Sequence, residues 1–502
     1  MFAFSVLIGV YSWIIFFLGI SGVLTSGLAL SVFFLLIASL FFVIKRNIPM
    51  FSKPEGVSRI IFAALLLMAV VNFIGALGPE LGFDALWYHL TLPKIWLSEH
   101  VIRFLPGSVF RYSVMPKLTE TLYAASVALG SAIPAKLIHF TFGLLTLVPL
   151  YQISRRYLSR ALSALVLLVF YSNLVVGWQS ITAYVDLART FFEILAFRFF
   201  LEEKYTKSAV VLGLAVSTKM IALFSLPIFI LLMLIRKVSF KKLLTFVFVS
   251  LIFPAPWLIH AFIATGNPLY PVFSPAYENI PFSFNPVNLW SLFTSSPDPV
   301  SPLYIILFPL LFFIGKNFWS RGVRLIFFYC LFSLIFWLVL PATGGSRFIL
   351  PYLPVFSLAA IIIFNNIRDK FIRKIIVAVI IISYVSSLGY RAAANFKYLP
   401  VITRTQSVQD FLTKHLDFSS GNFSDTDGFL SENISSGKTV LVSGINNLFY
   451  ADFKFIHEQY YSGEKIDYLL MRYPDSLEIV NQTEFGEIYH NPLTRVRLFE
   501  KL

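Results

Sequence analysis

"IIFAALLLMAVVNFIGALGPELGFDALWYHLTLPK", residues 60–94, is the stretch on which the fold turns. The run Ile60–Leu77 is apolar and about the length that crosses a bilayer, roughly 17–25 residues. Directly after it, "GFDALWYHLTLPK" sets Asp84, His89 and Lys94 among Trp87, Tyr88 and Leu92. Ionisable groups at the mouth of a hydrocarbon-spanning segment are costly to place there, so they point to a function.

The rest of the chain repeats the first half of this pattern. Of 502 residues, 57% are hydrophobic, 13% are charged and 55 are Phe, with a mean hydropathy of +0.77. A soluble domain carries roughly 25% charged residues. The composition therefore excludes an ordinary soluble protein and predicts an all-α polytopic membrane protein. The single cysteine, Cys330, lies in an apolar run and supports neither an internal disulfide nor a thiolate metal cluster. The first twenty residues lack a basic leader and are apolar for longer than a signal-peptide core, which predicts a retained first span.

The net charge of +14 is explained by where the charges fall, and no nucleic-acid partner is needed. Lys45, Arg46, Lys53 and Arg59, then Arg155, Arg156 and Arg160, then Arg236, Lys237, Lys241 and Lys242 occupy short connectors. So do Lys316, Arg321 and Arg324, and Arg368, Lys370, Arg373 and Lys374. The positive-inside rule assigns all of these to the cytoplasmic side. About thirteen spans follow, at 3–20, 27–44, 59–77, 136–153, 161–178, 187–202, 207–218, 220–235, 243–262, 302–314, 323–340, 349–365 and 374–390. The apolar segment 118–133 is expected to lie on or dip into the outer face, because a crossing there would export Arg155, Arg156 and Arg160.

The expected organisation is a transmembrane catalytic domain, 1–390, and an extracytoplasmic domain, 391–502. The first external loop covers about 78–135, and the N-terminus is cytoplasmic. The tail contains strand-like runs, "TVLVS" at 439–443 and "DYLLM" at 467–471, between polar stretches such as "SSGNFSDTDG", and predicts a small α/β domain. Asn422, Asn433 and Asn481 sit in N-x-S/T sequons. No internal repeat of the kind many transporters carry is evident.

This topology gathers charges on the outer face: Asp84 and Lys94 in the first loop, Asp186 in "ITAYVDLARTFF", Lys219 in "GLAVSTKMIAL" and Arg347 in "ATGGSRFILPYLP". Two carboxylates with several fixed cations suit a site that activates a hydroxyl and holds a phosphate. The chemistry that fits is inverting glycosyl transfer from a lipid-phosphate sugar. One carboxylate takes the acceptor proton, and Lys or Arg stabilises the phosphate that leaves. Tyr88, His89 and Glu120 are further candidate substrate contacts. His89 and Lys94 also suit an amphipathic helix on the membrane surface, and Lys219 suits snorkelling to headgroups. Arg189, Glu193 and Arg198, at helical spacing in one span, suggest mutual ion pairing. Asp84 and His89 are five apart, off one helix face, and no His-x-x-x-His or Cys motif occurs, so no cofactor is required, and a divalent ion held by Asp84 and Asp186 with substrate oxygens is the less favoured alternative.

Taken in order, "GFDALWYHLTLPKIWL", "MPKLTETLYAASVALG", "SRRYLSRALSALVLLVFYSNLVVGWQSITAYVDLARTFF", "GLAVSTKMIAL", "TGNPLYP" at 265–271 and "SRFILPYLP" at 346–354 resemble the GT-C superfamily of integral-membrane glycosyltransferases. The likeness is to the group of protein O-mannosyltransferases and bacterial lipid A aminoarabinose transferases, and it covers about residues 59–365. It implies a polyprenyl-phosphate-linked sugar donor, with Asp84 as catalytic base and Asp186 as the second acidic residue. Lys219 and Arg347, with Lys94 as a third, would contact the donor phosphate. Ala85 follows Asp84 where protein O-mannosyltransferases carry a Glu, and two spans precede the family's first, so the acceptor is not inherited. The competing expectations are a transporter or flippase for a lipid-linked sugar or other anion, and a polysaccharide polymerase or ligase of another membrane fold.

Overall fold

The computed structural model describes every residue except 48–54, 276–286, 295–297, 314, 316–317, 340–344 and 473–483. Lys53, Lys316, Gly344 and Asn481 therefore lie outside the described residues.

Three long apolar helices open the chain: α1 (Phe2–Ile20), α2 (Ser26–Asn47) and α3 (Val57–Ala76). The first loop then folds into a π-helical turn, Ala85–His89, followed by α4 (Thr91–Glu99) and α5 (Leu118–Ala128). Next come α6 (Ile133–Ser154), α7 (Arg160–Tyr171), α8 (Leu174–Gln179), α9 (Asp186–Leu201), α10 (Tyr205–Thr218) and α11 (Ser225–Ile235). They are followed by α12 (Phe240–Ile252), α13 (Ala255–Thr265), α14 (Val287–Thr294) and α15 (Leu303–Leu307). The bundle ends with α16 (Arg321–Val339), α17 (Ser346–Ile349), α18 (Leu353–Asn366) and α19 (Lys370–Phe396).

Each of the thirteen expected spans overlies helical chain, but length separates them. Among the described residues, seven helices are long and apolar enough to cross a membrane, or eight if α12 and α13, bent by 67° at their junction, count as one. Pro254 stands at that junction and Pro256 follows it, which accounts for the break. The shorter segments lie inside the bundle. Every residue of α9 except Arg198 is buried, and α10 is buried along its second half. A helix walled in by other helices need not match the bilayer thickness.

The connectors sort to two ends. At one end Arg156 pairs with Glu202 (2.5 Å), Arg236 donates to the Phe200 carbonyl (2.9 Å), and Ser159 and Asp369 cap α7 and α19. The other end collects the first loop, the start of α9, the end of α10 and the start of α17. The 118–133 segment dips in at that end: α5 is buried along most of its length, and the Tyr11 hydroxyl, halfway along α1, donates to the Thr121 carbonyl.

After α19 the chain forms a five-stranded sheet from β1 (Thr439–Ser443), β2 (Lys454–His457), β3 (Tyr468–Met471), β4 (Phe485–Asn491) and β5 (Val496–Lys501), in the order β2-β1-β3-β5-β4. β1 lies parallel to β2 and β3, while β5 runs antiparallel to β3 and β4. Parallel strands covered on both faces read as unbroken apolar runs. This is why "TVLVS", buried at all of its positions, was visible in the sequence.

Candidate active site

Asp84 precedes the π-helical turn, a geometry found often at functional sites. Gly82 lets the chain approach closely there, since a side chain at that position would meet the Tyr184 ring at 2.9 Å. The Asp84 N–H donates to the Tyr184 hydroxyl (3.2 Å), and its carboxylate Oδ2 accepts from Arg347 Nη1 (2.6 Å) and the Tyr88 hydroxyl (3.2 Å). Asp186 is the first residue of α9, where the helix dipole favours an acid. Its Oδ1 accepts from Lys219 Nζ (2.7 Å), and its Oδ2 lies 3.7 Å from Arg347 Nε. Lys219 interrupts the helical chain: its backbone is extended between α10 and a 3-10 turn, Met220–Phe224. Arg347, one residue into α17, follows Gly345 at φ +52°.

The structure thus brings Asp84, Asp186, Lys219 and Arg347 into one contact network, with 263 residues between the ends of the Asp84–Arg347 bond. Aromatic rings line it, with Arg347 5.0 Å from the Tyr184 ring centre and Lys219 5.2 Å from that of Phe348. Asp186 Oδ2 and Arg347 Nε are buried without a hydrogen-bond partner, close but not joined. Asp84 keeps 17% of its side-chain surface exposed and Asp186 none, so Asp84 is the acid an incoming hydroxyl can reach. Burial raises the Asp84 pKa, but Arg347, with His89 and Lys219 behind it, outweighs that and holds the carboxyl below the ordinary range.

Other candidates go elsewhere. Lys94 is not joined to this network. Its ammonium donates to the carbonyls of Phe449 (2.8 Å) and Ala451 (2.5 Å) in the C-terminal domain, and burial brings its pKa down to about 8 against the pull of Asp452. His89 is not on a surface helix. It is buried, with Nδ1 2.8 Å from Glu120 Oε1, an oxygen that Lys117 also reaches (3.2 Å). Glu120 is thus held inside the first loop, while Tyr88 touches Asp84 directly. Among the described contacts, Arg189, Glu193 and Arg198 do not pair with one another. Arg189 donates to the Tyr352 hydroxyl (3.0 Å), Glu193 accepts from Tyr329 (2.9 Å), and Arg198 bonds Glu202 (3.1 Å).

Three residues that sequence reading passed over organise the site. Glu80 Oε1 accepts from the N–H groups of Leu81 (2.9 Å) and Gly82 (2.6 Å), and its Oε2 from Ala183 (2.5 Å), tying the Asp84 segment to the Asp186 segment. Burial holds its pKa above the ordinary value against Lys136 and these donors. His139 Nε2 accepts from the Leu187 N–H (2.9 Å), which makes Nδ1 the donor to the Thr182 carbonyl (2.9 Å) and fixes a neutral ring under the start of α9. Tyr184 packs on Arg347 and anchors Asp84. Glu80 lies four residues before Asp84 and Tyr184 two before Asp186, the only signal the sequence offers.

An apolar cavity of about 740 Å³ opens between α14, α15, α16 and α18. Ile349, two residues from Arg347, lines it together with Tyr304, Phe308, Phe327, Leu353 and Phe356. Compared with solved structures, ArnT from Cupriavidus metallidurans bound to undecaprenyl phosphate superposes with a TM-score of 0.56 at 13% identity, over 89% of this chain and 99% of that one. The fold is that of ArnT. The apo state of ArnT from the same organism gives a TM-score of 0.56 at 12% identity, over 88% and 98% of the two chains. No family model matches the sequence, and no curated protein matches it by sequence. The resemblance read from the motifs therefore holds at the level of the ArnT fold.

Proposed function

We propose that this chain is a membrane glycosyltransferase that moves a sugar from a polyprenyl-phosphate donor to an acceptor hydroxyl on the extracytoplasmic side, with inversion. The observation that carries this reading is the network of Asp84, Asp186, Lys219 and Arg347. Asp84, partly accessible and ionised, takes the proton of the attacking hydroxyl as the sugar's anomeric carbon parts from the phosphate. Asp186, buried on Lys219, orients the cations. Charge grows on the phosphate as the bond breaks, and Arg347 and Lys219 meet it. One unit charge against another at 4 Å is worth about 4 kcal/mol where the effective dielectric is about 20. The cavity suits an apolar lipid tail, and the undecaprenyl phosphate bound by ArnT supports a lipid of that class.

No metal ion is needed in this scheme. Transport would instead place working charges near the bilayer midplane. The test uses right-side-out vesicles with a chelator present and a radiolabelled undecaprenyl-phosphate sugar. Wild-type chain is expected to label an external acceptor. Asp84→Asn is expected to lose ~10²–10⁴-fold in rate, the usual contribution of a general base, while still binding the lipid. Unchanged labelling in Asp84→Asn would remove the base assignment.

A further inference from the structure

The C-terminal domain grips the first loop at two places. Its Tyr450 hydroxyl accepts from the Glu80 N–H and donates to the Glu80 carbonyl, both at 2.9 Å. Lys94, from the loop side, holds the carbonyls on either side of that tyrosine, Phe449 and Ala451. The second grip is Gln459, whose Oε1 accepts from the Val109 N–H (2.7 Å) and whose amide donates to Ser108 (3.1 Å). Gly107, at φ +92°, leaves the space for it, since a side chain there would meet Gln459 Oε1 at 2.4 Å.

The first grip closes on a residue that already ties the site together. Glu80 joins Gly82 and Ala183 through its carboxylate, and the Gly82 carbonyl accepts the Leu86 N–H that starts the turn after Asp84. From the membrane side, Lys136 donates to the carbonyls of Gly75 (3.0 Å), Gly78 (2.7 Å) and Pro79 (3.1 Å). Segment 75–82 is thus held from both sides, and its upper support comes from a domain that contributes none of the four network residues.

We infer that Tyr450 and Lys94 are positioning residues: the C-terminal domain, through residues 449–451 and Glu80, fixes Asp84 relative to Asp186. This rests on the function proposed above, and it reassigns Lys94 from the donor phosphate to the domain contact. A misplacement of about 1 Å in such a site can cost ~10²-fold in rate. Tyr450→Phe keeps the ring and loses the hydroxyl.

The full-length protein in nanodiscs provides two readouts. For transfer, Tyr450→Phe and Lys94→Met are each expected to lower kcat ~10-fold or more with donor KM unchanged, and the double variant to do no worse than either alone. For amide hydrogen exchange, both variants are expected to speed exchange in 80–90 and 183–187 while α16 and α18 stay protected. An unaltered kcat with unaltered exchange in Tyr450→Phe would overturn the inference, as would a rise in donor KM alone in Lys94→Met. If the wild-type chain transfers no sugar, the functional reading fails, and the exchange measurement still decides whether this clasp sets the loop.

Discussion

Arg347 bonds Asp84 and faces Asp186 at once, so the proposed base is restrained by the cation that is to receive the donor. A carboxyl held below its ordinary pKa adds stability above that ordinary value and loses it as pH falls through the depressed one. At neutral pH Asp84 is ionised, but it is a weak base while Arg347 stays on it. A donor phosphate would draw the guanidinium away and return basicity to Asp84. The expected outcome is an acid limb at higher pH in kcat, which reports the substrate complex, than in kcat/KM, which reports the free enzyme. Coincident limbs would argue against this exchange. Asp84, Asp186, Lys219 and Arg347 were legible because a charge beside an apolar run has few ordinary reasons to be there. Glu80 and His139 were not legible: their partners are main-chain groups, up to 103 residues away for Glu80 and 43 and 48 away for His139, and backbone hydrogen bonds leave no mark on residue type.

At the level of elements, the sequence located the helices well and measured them poorly. Apolar periodicity shows where a helix lies, whereas the length that counts as a crossing depends on whether lipid or protein surrounds it. That is why α9 and α10, which run between the two ends of the bundle, are short helices buried among others. The apolar segment α5, expected to lie on or dip into the outer face, is taken inside at the level of Tyr11. The clearest dependence of one element on another is that of α3 on α6. Lys136 satisfies the carbonyls of Gly78 and Pro79 beyond the end of α3 and shares that of Gly75 with backbone N–H groups. Lys136→Met is expected to cost about 3 kcal/mol, read as a lower midpoint of thermal unfolding in detergent. An unchanged midpoint would mean that water or a neighbour replaces the ammonium.

Across the whole molecule, basic connectors close one end of the bundle, and the site and the C-terminal sheet occupy the other, an arrangement visible in the spacing of Lys and Arg before any coordinates. The docking of the sheet was not visible, since Tyr450 and Gln459 look like any polar tail residues until the first loop is placed beneath them. The cavity between α16 and α18 carries a different implication. If a polyprenyl chain lodges there, the reaction is fed in two dimensions: fresh reactant and spent carrier trade places sideways within the leaflet. Turnover then follows the mole fraction of carrier in the lipid. Diluting the vesicle suspension with buffer is expected to leave the rate per vesicle alone, whereas diluting the carrier with inert phospholipid lowers it in proportion. A rate that tracks bulk volume instead would mean that the carrier arrives through water.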